Sequence, residues 1–218
     1  MTKLVPMAEA VAKLSDGMTV MIGGFMGCGN AHHVIQAVVD AGLTGLTLIS
    51  NDASVPGYGL AKLVQHKQLR KLITSHVGLN PEVAVQLNTG ELEVELVPQG
   101  TLVERIRSGG AGLGGVLTPT GIGTPVAEGK QVVTVDGRPY LLEKPLRADV
   151  ALINGYKVDR LGNVWYRGNS RNFNPVMATA ADLVIVEADQ LVEVGDIPPE
   201  DVVTPGVLVD YIVEGGEL

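Results

Sequence analysis

The sequence predicts an α/β fold: an open, mostly parallel sheet with flanking helices, one domain over residues 1–218, and a small β-rich insertion at about 116–145. Three observations predict it. Short apolar runs alternate with segments of helical period through the first half, at the βα spacing that gives parallel strands and right-handed crossovers. Ala, Val, Leu and Gly dominate, with hydrophobic residues at 45% and aromatics at only 4%, which suits strands covered on both faces. No linker or compositional break divides the chain, and 218 residues can bury one sizeable core.

Taken in order, Pro6–Leu14 reads as a helix, Met18–Ile22 as a strand, and Ala31–Ala41 as a helix closed by Gly42. Leu46–Ile49 is a β-branched strand ending at Ser50-Asn51-Asp52, and Gly59–Gln65 a short helix. Leu69–Thr74 is a strand, and Pro81–Leu87 a helix entered through Asn80 with proline at its first position. Leu92–Val97 gives a further strand, followed by Gln99-Gly100-Thr101 as its exit and a helix over Leu102–Ile106. Gly109–Gly115 is too glycine-rich for the interior of an element, and Leu117–Pro125 continues as loop. Val132–Val135 and Pro139–Leu142, joined at Asp136-Gly137, predict a hairpin with a primed turn, around which Lys130, Lys144 and Arg147 read as solvated. Val150–Ile153 and Leu183–Val186 are buried strands; between them lie a turn at Asp159–Gly162, a strand Val164–Tyr166 and a helix Asn174–Ala180.

Charge and composition exclude several classes. A formal charge of −8 argues against nucleic acid or an anionic membrane as partner. A single cysteine rules out an internal disulfide and fits a reducing compartment. The start of the chain, with Lys3 and Glu9 and no apolar core, does not read as a signal peptide, and no run reaches the roughly 18 apolar residues of a membrane span. The expectation is a cytoplasmic protein.

The densest functional signal is the turn Gly23-Gly24-Phe25-Met26-Gly27-Cys28-Gly29-Asn30, between a strand and a helix. Its four glycines let backbone amides approach a ligand, and the following helix would turn unpaired N–H groups and its positive end to the same place, as for a phosphate or an oxyanion. The spacing Gly24-x-x-Gly27-x-Gly29 reverses the dinucleotide fingerprint, and Asp52 only imitates its ribose-binding acid. Asn51 follows a strand's carboxyl end, where its amide either donates to an oxyanion or forms an Asx turn. Cys28 reads more readily as a small buried filler than as a nucleophile. Adjacent His32 and His33 point apart on a helix, and His66 and His76 lack ligands at metal spacing. Arg171-Asn172-Phe173-Asn174-Pro175 is read as ordinary helix capping. Two readings stay open on these residues: a nucleotide-dependent oxidoreductase, and a regulator that senses sugar phosphates or acyl-CoA.

Asp16-Gly17, Met18–Ile22, Gly23-Gly24-Phe25 and Gly29 resemble the signature DG-x-x-(apolar)₃-GGF-x₃-G-x-P of the A (alpha) subunit of family I coenzyme A transferases. Val97–Leu102, Gly109–Gly112, Thr118–Thr124, Ala127–Lys130 and Arg171–Pro175 are similar to further segments of that family, in the same order and over nearly the whole length. One departure is Ala31, preceded by Asn30, where the signature ends in proline.

The resemblance implies a ping-pong transfer of coenzyme A from an acyl-CoA to a free short-chain carboxylate through a glutamyl-CoA thioester. The glutamate would belong to a beta subunit's Ser-Glu-Asn-Gly motif, absent from this sequence, in an α2β2 assembly. It implies that Gly24, Phe25, Met26, Gly27, Cys28, Gly29 and Asn30 contact coenzyme A and acyl groups, that Asn51 donates to the oxyanion, and that Gln99 orients the partner's glutamate. No metal or redox cofactor is implied, coenzyme A thioesters being substrates. The short hairpin resembles that of bacterial enzymes acting on acetate, butyrate or acetoacetate.

Overall fold

A computed structural model describes residues 3–216. Strands β1 (Thr19–Ile22), β2 (Leu46–Ile49), β3 (Leu69–Thr74) and β4 (Glu93–Leu96) alternate with helices α1 (Met7–Val11), α2 (His32–Asp40), α3 (Ala61–Gln65), α4 (Pro81–Asn88) and α5 (Gln99–Gly110). The second half adds β5 (Val116–Thr118), β6 (Val132–Val135), β7 (Arg138–Glu143), β8 (Ala148–Asp159), β9 (Val164–Trp165), α6 (Asn174–Met177), β10 (Ala181–Val192) and β11 (Tyr211–Glu214). The main sheet has the order β11-β10-β8-β1-β2-β3-β4 with every neighbour parallel, and β9 pairs antiparallel with β8. β5, β7 and β6 form a separate antiparallel sheet.

The period of two along each strand divides the core into two layers. Val20, Ile22, Leu48, Val150, Leu152 and Ile185 face Val34, Ile35 and Val38 of α2. Met21, Ile49, Ala151, Ile153, Val184 and Val186 face Leu102 and Ile106 of α5 and Met177 of α6. Two apolar faces on the same strands explain why the sequence shows continuous runs rather than alternation. At the hairpin, Asp136 (φ 49) and Gly137 (φ 77) are both left-handed, the geometry of a primed turn. Among the described residues no helix is long and apolar enough to cross a membrane.

Several expectations need correction. Gln99 follows the end of β4 as expected, but α5 already begins there, directly after Pro98, rather than at Leu102. Gly109 and Gly110 are the last two residues of that helix rather than loop beyond it. A Cβ on Gly109 would sit 2.0 Å from the Leu146 carbonyl oxygen, and one on Gly110 2.2 Å from Thr179 Oγ1, so close packing explains both glycines. Leu117 and Thr118, expected as loop, belong to β5 and pair with β7. β8 and β10 run 12 residues each, beyond their apolar centres, and β11 was not expected. Nor is Lys130 simply solvated: it meets the buried Glu143 at 2.6 Å, and Arg147 meets Asp182 at 2.6 Å.

Candidate active site

The order of the main sheet reverses between β1 and β8, a topological switch point, and open parallel sheets bind ligands at the carboxyl ends of strands there. The glycine turn leaves β1 at that place. Left-handed Met26 (φ 50) and Gly27 (φ 85) close a two-residue hairpin, with Phe25 N–H bonded to Cys28 O at 3.0 Å and Cys28 N–H to Phe25 O at 2.9 Å. Phe25, Met26 and Cys28 are exposed at its tip, so Cys28 is not the buried filler expected. Gly27 admits the ring of Tyr58, whose Cε1 lies 2.2 Å from where a Cβ would stand.

A left-handed methionine costs about 1–2 kcal/mol, so something must hold it. Asp52, just past β2 and 4% exposed, accepts from Met26 N–H at 2.9 Å with Oδ2 and from Ser54 N–H at 2.7 Å with Oδ1. The same Oδ2 accepts from Asn51 Nδ2 at 2.8 Å, and Asn51 Oδ1 accepts from Gln99 Nε2 at 2.6 Å and Ser75 Oγ at 3.2 Å. A continuous hydrogen-bonded chain, Gln99–Asn51–Asp52–Met26, thus links the start of α5 to the tip of the loop across three strand ends. Asn51 is 1% exposed; its second amide hydrogen has no acceptor among the described residues.

The loop's base is held from three sides. Asn30 is 1% exposed and turned inward: Nδ2 donates to Gly23 O at 2.6 Å, and Oδ1 accepts from Leu60 N–H at 3.3 Å. Asn174 Nδ2 donates to Gly29 O at 2.9 Å, while its Oδ1 accepts from Asn154 N–H at 3.2 Å. Asn172 Oδ1 accepts from Gly24 N–H at 3.0 Å, and Nδ2 donates to Cys28 O at 3.0 Å. The segment 171–175 is therefore a clamp on the loop, not the helix cap expected; α6 has no side-chain cap. The backbone N–H groups of Gly27 and Gly29 find no acceptor among the described residues.

A second correction concerns the start of α2. Two of its N–H groups are not left for a ligand: Glu187, 2% exposed, accepts from His33 N–H at 2.9 Å and Val34 N–H at 2.8 Å and meets His33 Nδ1 at 2.9 Å. The protein's own carboxylate answers the helix dipole. One acid inside the apolar run Leu183–Ala188 was the sequence signal for it. Burial holds the His32 imidazole below its ordinary range, against the opposing pull of the Gly27 carbonyl that it meets at 3.0 Å through Nε2. The His32 ring packs on Tyr58 with centroids 4.6 Å apart. Behind the loop, Gly27, Gly29, His32, Tyr58, Tyr156 and Arg167 help to line a cleft of about 530 Å³. No group of three or more His, Cys, Asp and Glu among the described residues is arranged to hold a metal ion.

The family model described as coenzyme A transferase matches residues 5–215. The chain belongs to the coenzyme A transferase family. It is 50% identical to the acetate CoA-transferase subunit alpha of Escherichia coli (strain K12), over 99% of this chain and 98% of that protein. Against the acetoacetyl-CoA:acetate/butyrate CoA transferase alpha subunit of Clostridium acetobutylicum it is 51% identical, over 98% of each. An acyl-CoA transferase from E. coli O157:H7, solved as a thioester complex with CoA, matches 98% of the chain with a TM-score of 0.86 at 22% identity, a likeness of fold. This chain spans 47% of that longer protein, about half.

The departure at Ala31 has a local explanation. Ala31 caps α2 at φ −77, within proline's range, and its N–H has no acceptor among the described residues, so alanine keeps the conformation that the family's proline would impose. Ala31→Pro is expected to stabilise the chain by about 0.4–1 kcal/mol through the unfolded state, raising Tm by roughly 1–4 °C. A lower Tm in a thermal melt would mean that the buried site has no room for the ring.

Proposed function

We propose that the chain is the alpha half of a heteromeric CoA-transferase that moves coenzyme A between short-chain acyl-CoA (acetyl, butyryl, acetoacetyl) and free carboxylates. The observation that carries this reading is the Gln99–Asn51–Asp52–Met26 chain at the sheet's switch point, in a protein half identical to named alpha subunits of such enzymes. The site has oriented amide donors and an exposed apolar tip, and the sequence has no Ser-Glu-Asn-Gly motif. A beta subunit supplies that glutamate, in an α2β2 assembly in the cytoplasm. Its carboxylate exchanges with the acyl group for coenzyme A, giving a glutamyl-CoA thioester and releasing the first acid; the second acid reverses the exchange. One thioester is made for each one broken, so no metal or redox cofactor takes part.

In this division of labour Asn51 donates its second amide hydrogen to the oxyanion formed when a carbonyl is attacked. Gln99, fixed by Asn51, orients the partner's glutamate. Phe25, Met26 and Cys28 meet the acyl group and coenzyme A, with the free amides of Gly27 and Gly29 behind them; Gly24 and Asn30 shape the loop. Splitting the exchange into two covalent halves lowers each barrier.

The test is acetyl-CoA formation from butyryl-CoA and acetate, with each subunit alone and combined. Negligible turnover by the lone chain and restored turnover on mixing are expected. Substantial turnover by this chain alone rules the assignment out.

A further inference from the structure

We propose that Asn172 is a positioning residue for the transfer reaction, coupling the exposed turn Gly168–Arg171 to the glycine loop. The proposal rests on the loop belonging to the catalytic centre, as argued above. One planar carboxamide touches both arms of the loop: Oδ1 accepts from Gly24 N–H at 3.0 Å, and Nδ2 donates to Cys28 O at 3.0 Å. The same group reaches the turn and the chain beyond it, Nδ2 donating to Asn169 O and Oδ1 accepting from Phe173 N–H, both at 2.6 Å.

Among the described residues no other side chain around the loop does this. Asp52 holds only the tip, at Met26 N–H, and Asn174 only the exit, at Gly29 O. Asn174 is fully buried and fixed to the core through Asn154 N–H. Asn172 is only half-buried, and it lines a surface cleft of about 590 Å³ with Phe25, Gly168, Asn169 and Arg171. A group lodged in that cleft therefore touches the turn, the loop tip and the carboxamide that joins them. The spacing of the two loop arms sets where Phe25 and the free Gly27 amide stand, and misplacing reacting groups by about 1 Å costs up to about 100-fold in rate.

The experiment uses Asn172→Ala in the reconstituted complex, with hydrogen exchange read on the same complex. Expected are a kcat lower by about 10- to 100-fold, KM for acyl-CoA within about twofold, and amide exchange at least about tenfold faster over residues 24–29 with β1 and β8 unchanged. If the alanine variant fails to assemble, Asn172→Asp replaces it, retaining the acceptor for Gly24 N–H but setting a carboxylate against two carbonyls; the same kcat loss is expected. A kcat within threefold of wild type overturns the proposal, as does a loss of stability without faster loop exchange. An inactive wild-type complex would instead count against the transferase reading, and unchanged exchange over 24–29 would then still overturn the clamp.

Discussion

Asn51→Ala in the assembled enzyme is expected to lower kcat by about 10²–10³-fold with little change in assembly. The reason is double. The substitution removes the carboxamide whose free hydrogen is assigned to the oxyanion, and it deprives Gln99 Nε2 of an acceptor now at 2.6 Å. Asp52 keeps its bonds from Met26 and Ser54, so the loop itself should stand. Steady-state kinetics of the reconstituted complex, with its mass measured by sedimentation, separate the two effects. A fall of less than tenfold would make Asn51 a turn-former and nothing more.

Gly23→Ala is expected to destabilise the chain and displace the loop. Its Cβ would lie 1.8 Å from Asn174 Oδ1 and 3.1 Å from Asn174 Cα, and Asn174 is fully buried with its carboxamide bonded to Gly29 O, Ser170 O and Asn154 N–H. Neither partner has room to withdraw. Overpacking and broken buried bonds together should cost about 2–4 kcal/mol, a fall of roughly 4–16 °C in Tm, readable on the isolated chain. In the complex the displaced loop should lose at least about 100-fold in kcat. A variant that melts within 2 °C of wild type would show that Asn174 can move aside and that the loop is less rigidly seated than its bonds suggest.

Much of the fold was legible because parallel strands covered on both faces advertise themselves as apolar runs; β2 and β3 fall at the predicted residues. What sequence could not show was where such strands continue in polar residues. β8 runs on through Asn154 to Asp159 because β10 pairs with it throughout, a tertiary fact. Gly109 and Gly110 misled for a related reason: glycine marks close approach as well as chain breaks, and only neighbours at Leu146 and Thr179 distinguish the two. At the site, the glycine turn and its place beside Asn51 and Gln99 were readable from strand ends. The fasteners were not. Asn172 and Asn174 lie more than 140 residues from the loop they hold, and Glu187 as far from the helix it caps; residue types that cap helices locally serve equally well as distant clamps.

The capping of α2 by Glu187 bears on how a polyanionic substrate finds this surface. With that helix end already neutralised and a formal charge of −8 on the chain, the field around the protein repels rather than gathers a diphosphate-bearing thioester. Counter-charge for the nucleotide end has to come from individual guanidinium and ammonium groups, or from the companion protomer. On this chain's own charge, added salt screens a repulsion rather than an attraction.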